Sequence, residues 1–249
     1  PERFRQADCF LTAHDFLLYR LCGVKATDYS LAGGSLLFDL RRLEWSSELL
    51  GAFELDPARL PAPVWAGSLA GELGRSAAQE MGLPPGLPVV VGGQDQKVAA
   101  LGAGLRPGWA AVSLGTAAAV SCLAQKPLLD PLRRIPLFPF FAPGLWDLEG
   151  VIGTCGAALR WARDTLFPGL DYAAIDALAR QSPPGSNGVR FYPHLAGATS
   201  PLWQPAASGA FSGLSLACGR SDLARSLYEG AAYQIRANLE VMGDLSPIQ

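Results

Sequence analysis

The chain has 249 residues, of which 49% are apolar and 17% charged, and its net charge is −2. This composition permits a sizeable core and excludes a disordered chain. Because nucleic-acid binding needs clustered Lys and Arg, the lack of any basic run predicts no nucleic-acid partner. The five cysteines are widely spaced and form no C-x-x-C pair, which favours scattered thiols in a reducing cytosol and predicts no metal site.

No apolar leader opens the chain, whose first residues are Pro-Glu-Arg-Phe-Arg. Residues 107–125 carry no charge, but their Gly, Pro and hydroxyl residues indicate two short strands about a turn and not a membrane span. We therefore expect a soluble, cytoplasmic protein with no membrane partner.

The first half of the chain shows two helical patterns, then a strand, then a third helical segment. Apolar spacing predicts a helix over residues 4–22 that ends at Gly23, and another over residues 71–81 that ends at Gly82. Leu87–Val91 is wholly apolar, which is typical of a strand buried on both faces. Two glycines, Gln94-Asp95-Gln96 and an Ala-rich helical segment follow directly.

Three further elements are predicted in the second half of the chain. Residues 109–123 indicate a buried hairpin, and a helix begins near Thr154. The last helix has Ser221 or Asp222 as its N-cap. Its apolar positions recur every four residues: Leu223, Leu227, Ala231, Ile235 and Leu239.

Residue types alone leave the functional meaning of these segments open. Asp95, at a strand-to-helix turn, could serve as a fixed carboxylate or simply as an N-cap. Gln96 could be an exposed first-turn residue, Gly115-Thr116 an ordinary hairpin turn, and Gly156 a packing glycine. Asp28, which follows Thr27 at a turn, fits a structural role better than a catalytic one.

Several short blocks, in order, resemble the FGGY family of carbohydrate kinases. They are Thr27–Ala32, Leu37–Asp39 with Trp45, Gly86–Val89, Gly92–Asp95, Ser113–Thr116, Gly156–Trp161, Gly209–Leu214 and Leu227–Gly230. One block such as Gly-Gly-x-Asp occurs by chance, whereas an ordered set over nearly the whole chain is a specific signal.

The resemblance implies an α/β, actin-like (ribonuclease H-like) ATPase fold, with parts of two domains flanking a cleft. Residues 1–106 would be the C-terminal part of the sugar-binding FGGY domain, and residues 107–249 the N-terminal part of the nucleotide-binding FGGY domain. The family's first phosphate loop would precede Pro1 and its adenosine loop would follow Gln249. We therefore expect a central fragment lacking both ends, which is inactive by itself.

The same resemblance implies roles for six residues. Asp95 would be the catalytic base and would bind the substrate together with Gln96. Gly115 and Thr116 would hold ATP phosphates, and Gly156 and Arg160 would contact the nucleotide. ATP and Mg²⁺ would be the cofactors, and a small sugar or polyol would be the substrate. Whether the protein forms a homodimer stays open.

Four departures from the family pattern affect these expectations. Gln96 resembles glycerol kinases, whereas typical xylulokinases have Asn there, so the substrate stays a sugar or polyol with a ketose preferred. Ala117 replaces a small hydroxyl residue, and Arg160 replaces a frequent Gln. Gly197–Pro201 lacks the two charges of the family's G-E-R-x-P. The alternative function is a non-catalytic actin-like module that binds nucleotide.

One acidic residue near the end of the chain has a simpler explanation than function. Glu229 lies in the last helix, and Arg225, one turn earlier, could pair with it. We therefore expect a structural ion pair there.

Overall fold

The computed structural model describes residues 2–248, which form two compact units. The first unit comprises the chain up to Val98, Gln125–Pro127 and Phe138–Asp147. The second comprises Ala99–Ala124, Leu128–Leu137 and the residues from Leu148 onward. The domain boundary between residues 106 and 107 stays a prediction.

Short helices and strands make up the first unit. Its helices are α1 (Glu2–Gln6), α2 (Ala13–Cys22), α3 (Tyr29–Gly34), α4 (Ser47–Ala52), α5 (Arg75–Met81) and the beginning of α6 (Asp95–Gly102), with a 3₁₀ turn at Pro57–Arg59. Its strands are β1 (Ala26–Asp28), β2 (Phe38–Asp39), β3 (Glu44–Trp45), β4 (Ala62–Val64), β5 (Leu69–Glu72) and β6 (Pro88–Val90).

These strands pair in three ribbons. β1 runs parallel to β4, β2 antiparallel to β3, and β5 antiparallel to β6. A small core lies among Leu18 of α2, Ala26 of β1 and Val91, which follows β6 directly. Val91 is therefore fixed at the point where the chain leaves the strand and enters the segment that leads to Asp95.

The single helix predicted over residues 4–22 is wrong, because the structure has two helices there. Thr12 caps α2: its hydroxyl accepts from the amide of Asp15 at 3.2 Å, and the Asp15 carboxylate accepts from the amide of Thr12 at 3.1 Å. This reciprocal capping begins a new helix where apolar spacing alone suggested continuity. Gly23 ends α2 with φ 77°, as predicted.

The segment around β6 also differs from expectation. Helix α5 begins at Arg75 and not at residue 71, because residues 69–72 pair with β6 as strand β5. Gly82 ends α5 with φ 66°, as predicted. The prediction that β6 is buried on both faces is wrong, because Val90 is 53% exposed. In the described part of the chain, β6 pairs with β5.

The second unit combines strands with three helices, of which α9 is the longest helix of residues 2–248. Its strands are β7 (Ala110–Leu114), β8 (Ala118–Ala124), β9 (Leu137–Pro139), β10 (Trp146–Ile152), β11 (Arg190–Tyr192) and β12 (Ala210–Ser212); β9 and β10 each include residues of the first unit. Its helices are α7 (Gly156–Thr165), α8 (Tyr172–Ala179) and α9 (Arg220–Leu245), with a 3₁₀ turn at Ser186–Gly188.

Strands β7, β8, β10 and β9 form a sheet in that order, and β11 pairs antiparallel with β12. A core of buried residues joins the three helices to β11. Its members are Ala158, Ala162, Phe167, Ile175, Ala179, Phe191, Ala224 and Leu227. This packing fixes α7 against the core, so its first turn has a defined position.

Predictions for the second unit are mostly confirmed. Residues 109–123 do form an antiparallel hairpin, β7 with β8. Strand β8 is buried, but burial of the whole hairpin is wrong, because Leu114 of β7 is 67% exposed. Helix α7 begins at Gly156, two residues after Thr154.

The predicted N-cap of the last helix is wrong. Helix α9 begins at Arg220 with Gly219 as its N-cap, and Asp222 lies at the third helical position. The Asp222 carboxylate accepts from the amide of Gly219 at 2.8 Å. It therefore satisfies a free amide at the helix start from inside the helix.

Carboxylates of α9 fix the loop that contains the second 3₁₀ turn. Arg225 donates to Glu229 at 2.7 Å, which confirms the structural ion pair expected there. Glu229 also accepts from the amide of Gly185 at 2.9 Å and from the hydroxyl of Ser186 at 2.8 Å. Burial raises the pKa of Glu229, but these hydrogen bonds outweigh it and hold that pKa below its ordinary value.

Hydroxyls replace the missing charges in Gly197–Pro201. Thr199 accepts from the amide of Gly153 at 3.0 Å, and Ser200 accepts from the amide of Val151 at 3.1 Å. The segment is therefore fastened to β10 and the residue after it by neutral hydrogen bonds.

Within residues 2–248, no helix is both long enough and apolar enough to cross a bilayer.

Candidate active site

Close packing in the first unit favours both glycines before Asp95, and Gly93 more strongly than Gly92. A Cβ at Gly93 would overlap the ring of Phe141, and one at Gly92 would lie 3.0 Å from Nε2 of His14. A rigid ring cannot give way as the end of a flexible side chain can. The Gly-Gly pair therefore lets this segment pass close to its neighbours on the way to α6.

Gln94 ties the same segment to α3. Its amide donates to Oγ of Ser30 at 3.1 Å, while the amide of Ser30 donates to Asp28 at 2.8 Å. Asp28 is fully buried and accepts also from the amide of Leu31 at 3.1 Å, so it caps α3. The structural interpretation of Asp28 is confirmed.

Asp95 is the first residue of α6 and is exposed. One carboxylate oxygen accepts from the amide of Gln96 at 2.7 Å. The carboxylate therefore satisfies a free amide at the helix start and remains accessible to solvent. Asp95 is thus the first helical residue and not the N-cap that the sequence also allowed, and its exposed carboxylate fits the alternative of a fixed, accessible carboxylate.

Gln96 is half-buried and points differently from Asp95. Its side-chain oxygen is buried and has no hydrogen-bond partner within residues 2–248. A buried amide oxygen without a partner is costly.

A histidine–aspartate pair lies on the other side of Gly92. Nδ1 of His14 is 3.5 Å from the buried carboxylate of Asp15, and this contact raises the pKa of His14. Burial raises the pKa of Asp15, but hydrogen bonds from His14 and Thr12 outweigh it and keep that pKa below its ordinary value. The sequence analysis did not single out this pair.

In the second unit, the turn between β7 and β8 sits on the first turn of α7. The amides of Cys155 and Ala157 both donate to the carbonyl of Thr116 at 3.0 Å, and the amide of Gly156 donates to that of Gly115 at 2.9 Å. The amides that open α7 are thus used by the protein itself. Phosphate donors at this place would have to come from the turn.

Gly156 is required by this contact. A Cβ on Gly156 would lie 2.5 Å from the carbonyl oxygen of Gly115, which is backbone and cannot swing aside. Gly156 therefore permits the helix start and the Gly115–Ala117 turn to touch. This explains a glycine that the sequence left ambiguous between a packing and a nucleotide role.

Arg160 completes the group. It lies one helical turn beyond Gly156, and its guanidinium donates to Oγ1 of Thr116 at 3.3 Å. The structure thus brings the four residues Gly115, Thr116, Gly156 and Arg160 together. Because the Thr116 hydroxyl accepts from Arg160, its own proton can point toward another acceptor.

Comparison with known proteins identifies the chain. The N-terminal domain of the FGGY family of carbohydrate kinases matches residues 1–102, and the C-terminal domain of that family matches residues 110–249. The chain belongs to the FGGY family of carbohydrate kinases.

Individual FGGY relatives are kinases of several acceptors. The chain is 33% identical over 241 residues to a xylulose kinase of Klebsiella pneumoniae, covering 96% of this chain and 49% of that protein. It is 29% identical over 241 residues to a gluconokinase of Bacillus subtilis, covering 92% of this chain and 47% of that protein. The chain thus spans about half the length of the curated relatives it matches.

Solved FGGY structures share the architecture. The crystal structure of a xylulose kinase from Rhodospirillum rubrum superimposes with a TM-score of 0.89 at 30% identity, covering 98% of this chain and 50% of that one. The chain therefore has the actin-like ATPase fold of the FGGY family, and the α/β fold-class prediction is confirmed.

Two residues near Asp95 were missed by the sequence analysis, although the FGGY blocks surround them. Lys97 and Asp147 are both fully buried, with Nζ of Lys97 3.5 Å from Oδ2 of Asp147. A lysine in an Ala-rich helix and an aspartate in an apolar strand are weak signals of a buried pair. Fifty residues separate the two in sequence, so no local pattern joins them.

Proposed function

We propose that the protein carrying this chain transfers the γ-phosphoryl group of ATP to a hydroxyl of a small sugar or polyol, with a ketose as the preferred acceptor. Membership of the FGGY family supports the class of reaction. The printed names of its relatives, xylulose kinase and gluconokinase, support a sugar-like acceptor.

The observation that carries the proposal is the exposed carboxylate of Asp95 on a tightly held segment. Phosphoryl transfer needs an aligned hydroxyl and a group that takes its proton. In the proposed step, the acceptor oxygen bonds to the γ-phosphorus, the bond to the ADP oxygen breaks, and the hydroxyl proton passes to Asp95. Gln96 would bind a second acceptor hydroxyl after its amide turns outward.

The Gly115–Ala117 turn is the proposed phosphate site. In residues 2–248, the amides of Thr116 and Ala117 have no backbone acceptor, unlike that of Gly115, which donates to the Ala117 carbonyl at 2.9 Å. Together with the Thr116 hydroxyl and the Arg160 guanidinium, these two amides offer four donor groups to phosphate oxygens. Gly156 lets the start of α7 contact this turn and so helps to fix the position of these donors.

Mg²⁺ fits this proposal as a partner of ATP and not as a separate protein centre. No group of three or more His, Cys, Asp or Glu residues that could hold a metal is found in the described part of the chain. Mg²⁺ commonly binds through substrate phosphates, waters and one or two carboxylates, and it would neutralise phosphate charge. Asp95 is the one carboxylate that we place at the reacting groups.

Replacing Asp95 by Asn in the protein that carries this chain tests the function. We expect ketose-stimulated ADP release to fall on the order of 10²–10⁴-fold, because an amide cannot take the hydroxyl proton. ATP binding, measured by calorimetry, should stay within a factor of two or so of wild type.

Glu48→Gln is the matched control, because Glu48 is also an exposed acid in the first turn of a helix. Its turnover should equal that of wild type. Normal turnover in the Asp95 variant would refute the role of Asp95 as the base.

A further inference from the structure

Lys97 is one of the largest fully buried side chains among residues 2–248, with 0% exposure. An ammonium group removed from water costs several kcal/mol unless it is paired and hydrogen-bonded. Its neighbours should therefore explain why this position is not apolar.

Among the groups that contact the Lys97 ammonium are a carboxylate, an amide oxygen and an aromatic ring. Oδ2 of the buried Asp147 lies 3.5 Å away, and the side-chain oxygen of Gln94 accepts a hydrogen bond from it. The centroid of the Phe138 ring lies 4.0 Å from Nζ, which is within cation–π range. Lys97 thus links the first turn of α6 to the segment 138–147 of the same unit.

The same contacts fix the residue that precedes Asp95. Gln94 is held through its backbone by Ser30 and through its side chain by Lys97. Successive helical residues are about 100° apart, so Lys97 and Asp95 lie on nearly opposite faces of α6. Lys97 holds the inner face, while Asp95 stays exposed on the outer one.

We propose that Lys97, paired with Asp147 and Gln94, is a positioning residue that fixes the first turn of α6 and thereby the direction of the Asp95 carboxylate. This inference rests on the proposed kinase function. Lys97 itself does not touch the reacting groups. Its effect should therefore appear in turnover and in the order of the helix start, and not in ATP affinity.

The double variant K97M/D147L separates positioning from stability. Replacing a whole buried ion pair by apolar side chains of similar size is often neutral for folding, whereas removing one partner strands a buried charge. We expect kcat to fall on the order of 10–100-fold, because a displaced catalytic group loses alignment. The KM for ATP and the unfolding temperature should stay near wild type.

The exposed pair Lys25–Asp8 in the same unit provides the matched control. K25M/D8N should leave kcat unchanged. The single variant Gln94→Met keeps the buried ion pair but removes the hydrogen bond to Gln94, so it should lower kcat less than the double variant does. It also provides a result if K97M/D147L folds poorly.

Hydrogen exchange gives a readout that does not depend on turnover. Amides of residues 92–98 should exchange faster in K97M/D147L, while those of α2 and α5 should not change. Wild-type kcat in the double variant, or unchanged exchange over residues 92–98, would overturn the positioning role. If wild type phosphorylates no acceptor, the kinase proposal fails, and the exchange result still decides whether Lys97 orders this segment.

Discussion

Gly156 and Gly115 touch through backbone atoms, which makes Gly156 the most constrained residue of the proposed phosphate site. Gly156→Ala places a methyl group 2.5 Å from the Gly115 oxygen, so the turn must move away from α7. Overpacking of this kind costs about 1–3 kcal/mol. We expect ATP affinity, measured by calorimetry, to weaken on the order of tenfold, with a lower unfolding temperature.

Gly243→Ala is the control for that variant. Gly243 lies in α9, is exposed, and has open space around the position of a new Cβ. Alanine favours helix, so the unfolding temperature should be unchanged or slightly raised and ATP affinity should stay constant. Unaltered ATP affinity in Gly156→Ala would contradict a phosphate site at the Gly115–Ala117 turn.

Sequence was informative about residues whose role depends on local geometry. Gly23 and Gly82 were predicted as helix ends because a left-handed residue there is a local requirement. Lys97 and Asp147 could not be predicted, because their pairing depends on tertiary contact between distant segments. The role of Gly93 could not be predicted for the same reason, because Phe141, which packs against Gly93, lies 48 residues later in the chain.

Among the elements, α9 is held at its start by Asp222. A hydrogen bond from the Ser182 hydroxyl, at 2.6 Å, and one from the amide of Gly219 lower the pKa of Asp222. Asn187 donates a further bond at 2.9 Å. A lowered folded-state pKa contributes stability that is present above the unfolded pKa and is lost as the pH falls through the folded pKa.

Asp222→Asn should therefore lower the urea midpoint at pH 7. The difference from wild type should shrink as the pH falls below about 4, the ordinary value for aspartate, because the unfolded chain then takes up a proton at this position. It should vanish once the pH has passed the lowered pKa of folded Asp222. Urea titrations at several pH values, followed by circular dichroism, measure both effects.

Asp244→Asn provides the comparison, because Asp244 is exposed and lies in the last turn of the same helix. A negative charge at a helix C-terminus is unfavourable, so its removal should leave the midpoint unchanged or raise it. A difference for Asp222→Asn that does not depend on pH would contradict the charge-based account.

Element boundaries show where sequence patterns lose resolution. The start of α9 was placed at Ser221 or Asp222 because both are good N-caps, yet Gly219 holds that position and Asp222 acts from the third residue. Residues 4–22 read as one helix because apolar spacing continues across residues 7–12. In both cases side-chain to backbone hydrogen bonds, and not periodicity, decide the boundary.

At the scale of the whole molecule, the ordered blocks identified the fold although several strands were misjudged. The exposed β6 and the half-exposed β7 show that apolar runs predict strands better than they predict what covers them. Burial depends on neighbours elsewhere in the chain. Neither the composition nor any single block would have identified the family.

The class of acceptor is a property of the whole protein and can be tested with a panel of a ketose such as xylulose, glycerol and gluconate. The carboxylate of Asp95 is exposed and would repel an acceptor that carries a carboxylate of its own. An uncharged ketose should therefore be preferred over a carboxylate such as gluconate, on the order of 10–200-fold in kcat/KM.

Coupled ADP release with saturating ATP measures the panel, and chelation of Mg²⁺ by EDTA should stop it because the phosphate charge is then not neutralised. A preference for gluconate would refute the proposed ketose acceptor, but it would leave the proposed kinase function intact. ADP release that no acceptor stimulates, with ATP still bound, would instead favour a non-catalytic nucleotide-binding module. In that case the exposed Asp95 carboxylate would serve only to accept the hydrogen bond from the Gln96 amide at the start of α6.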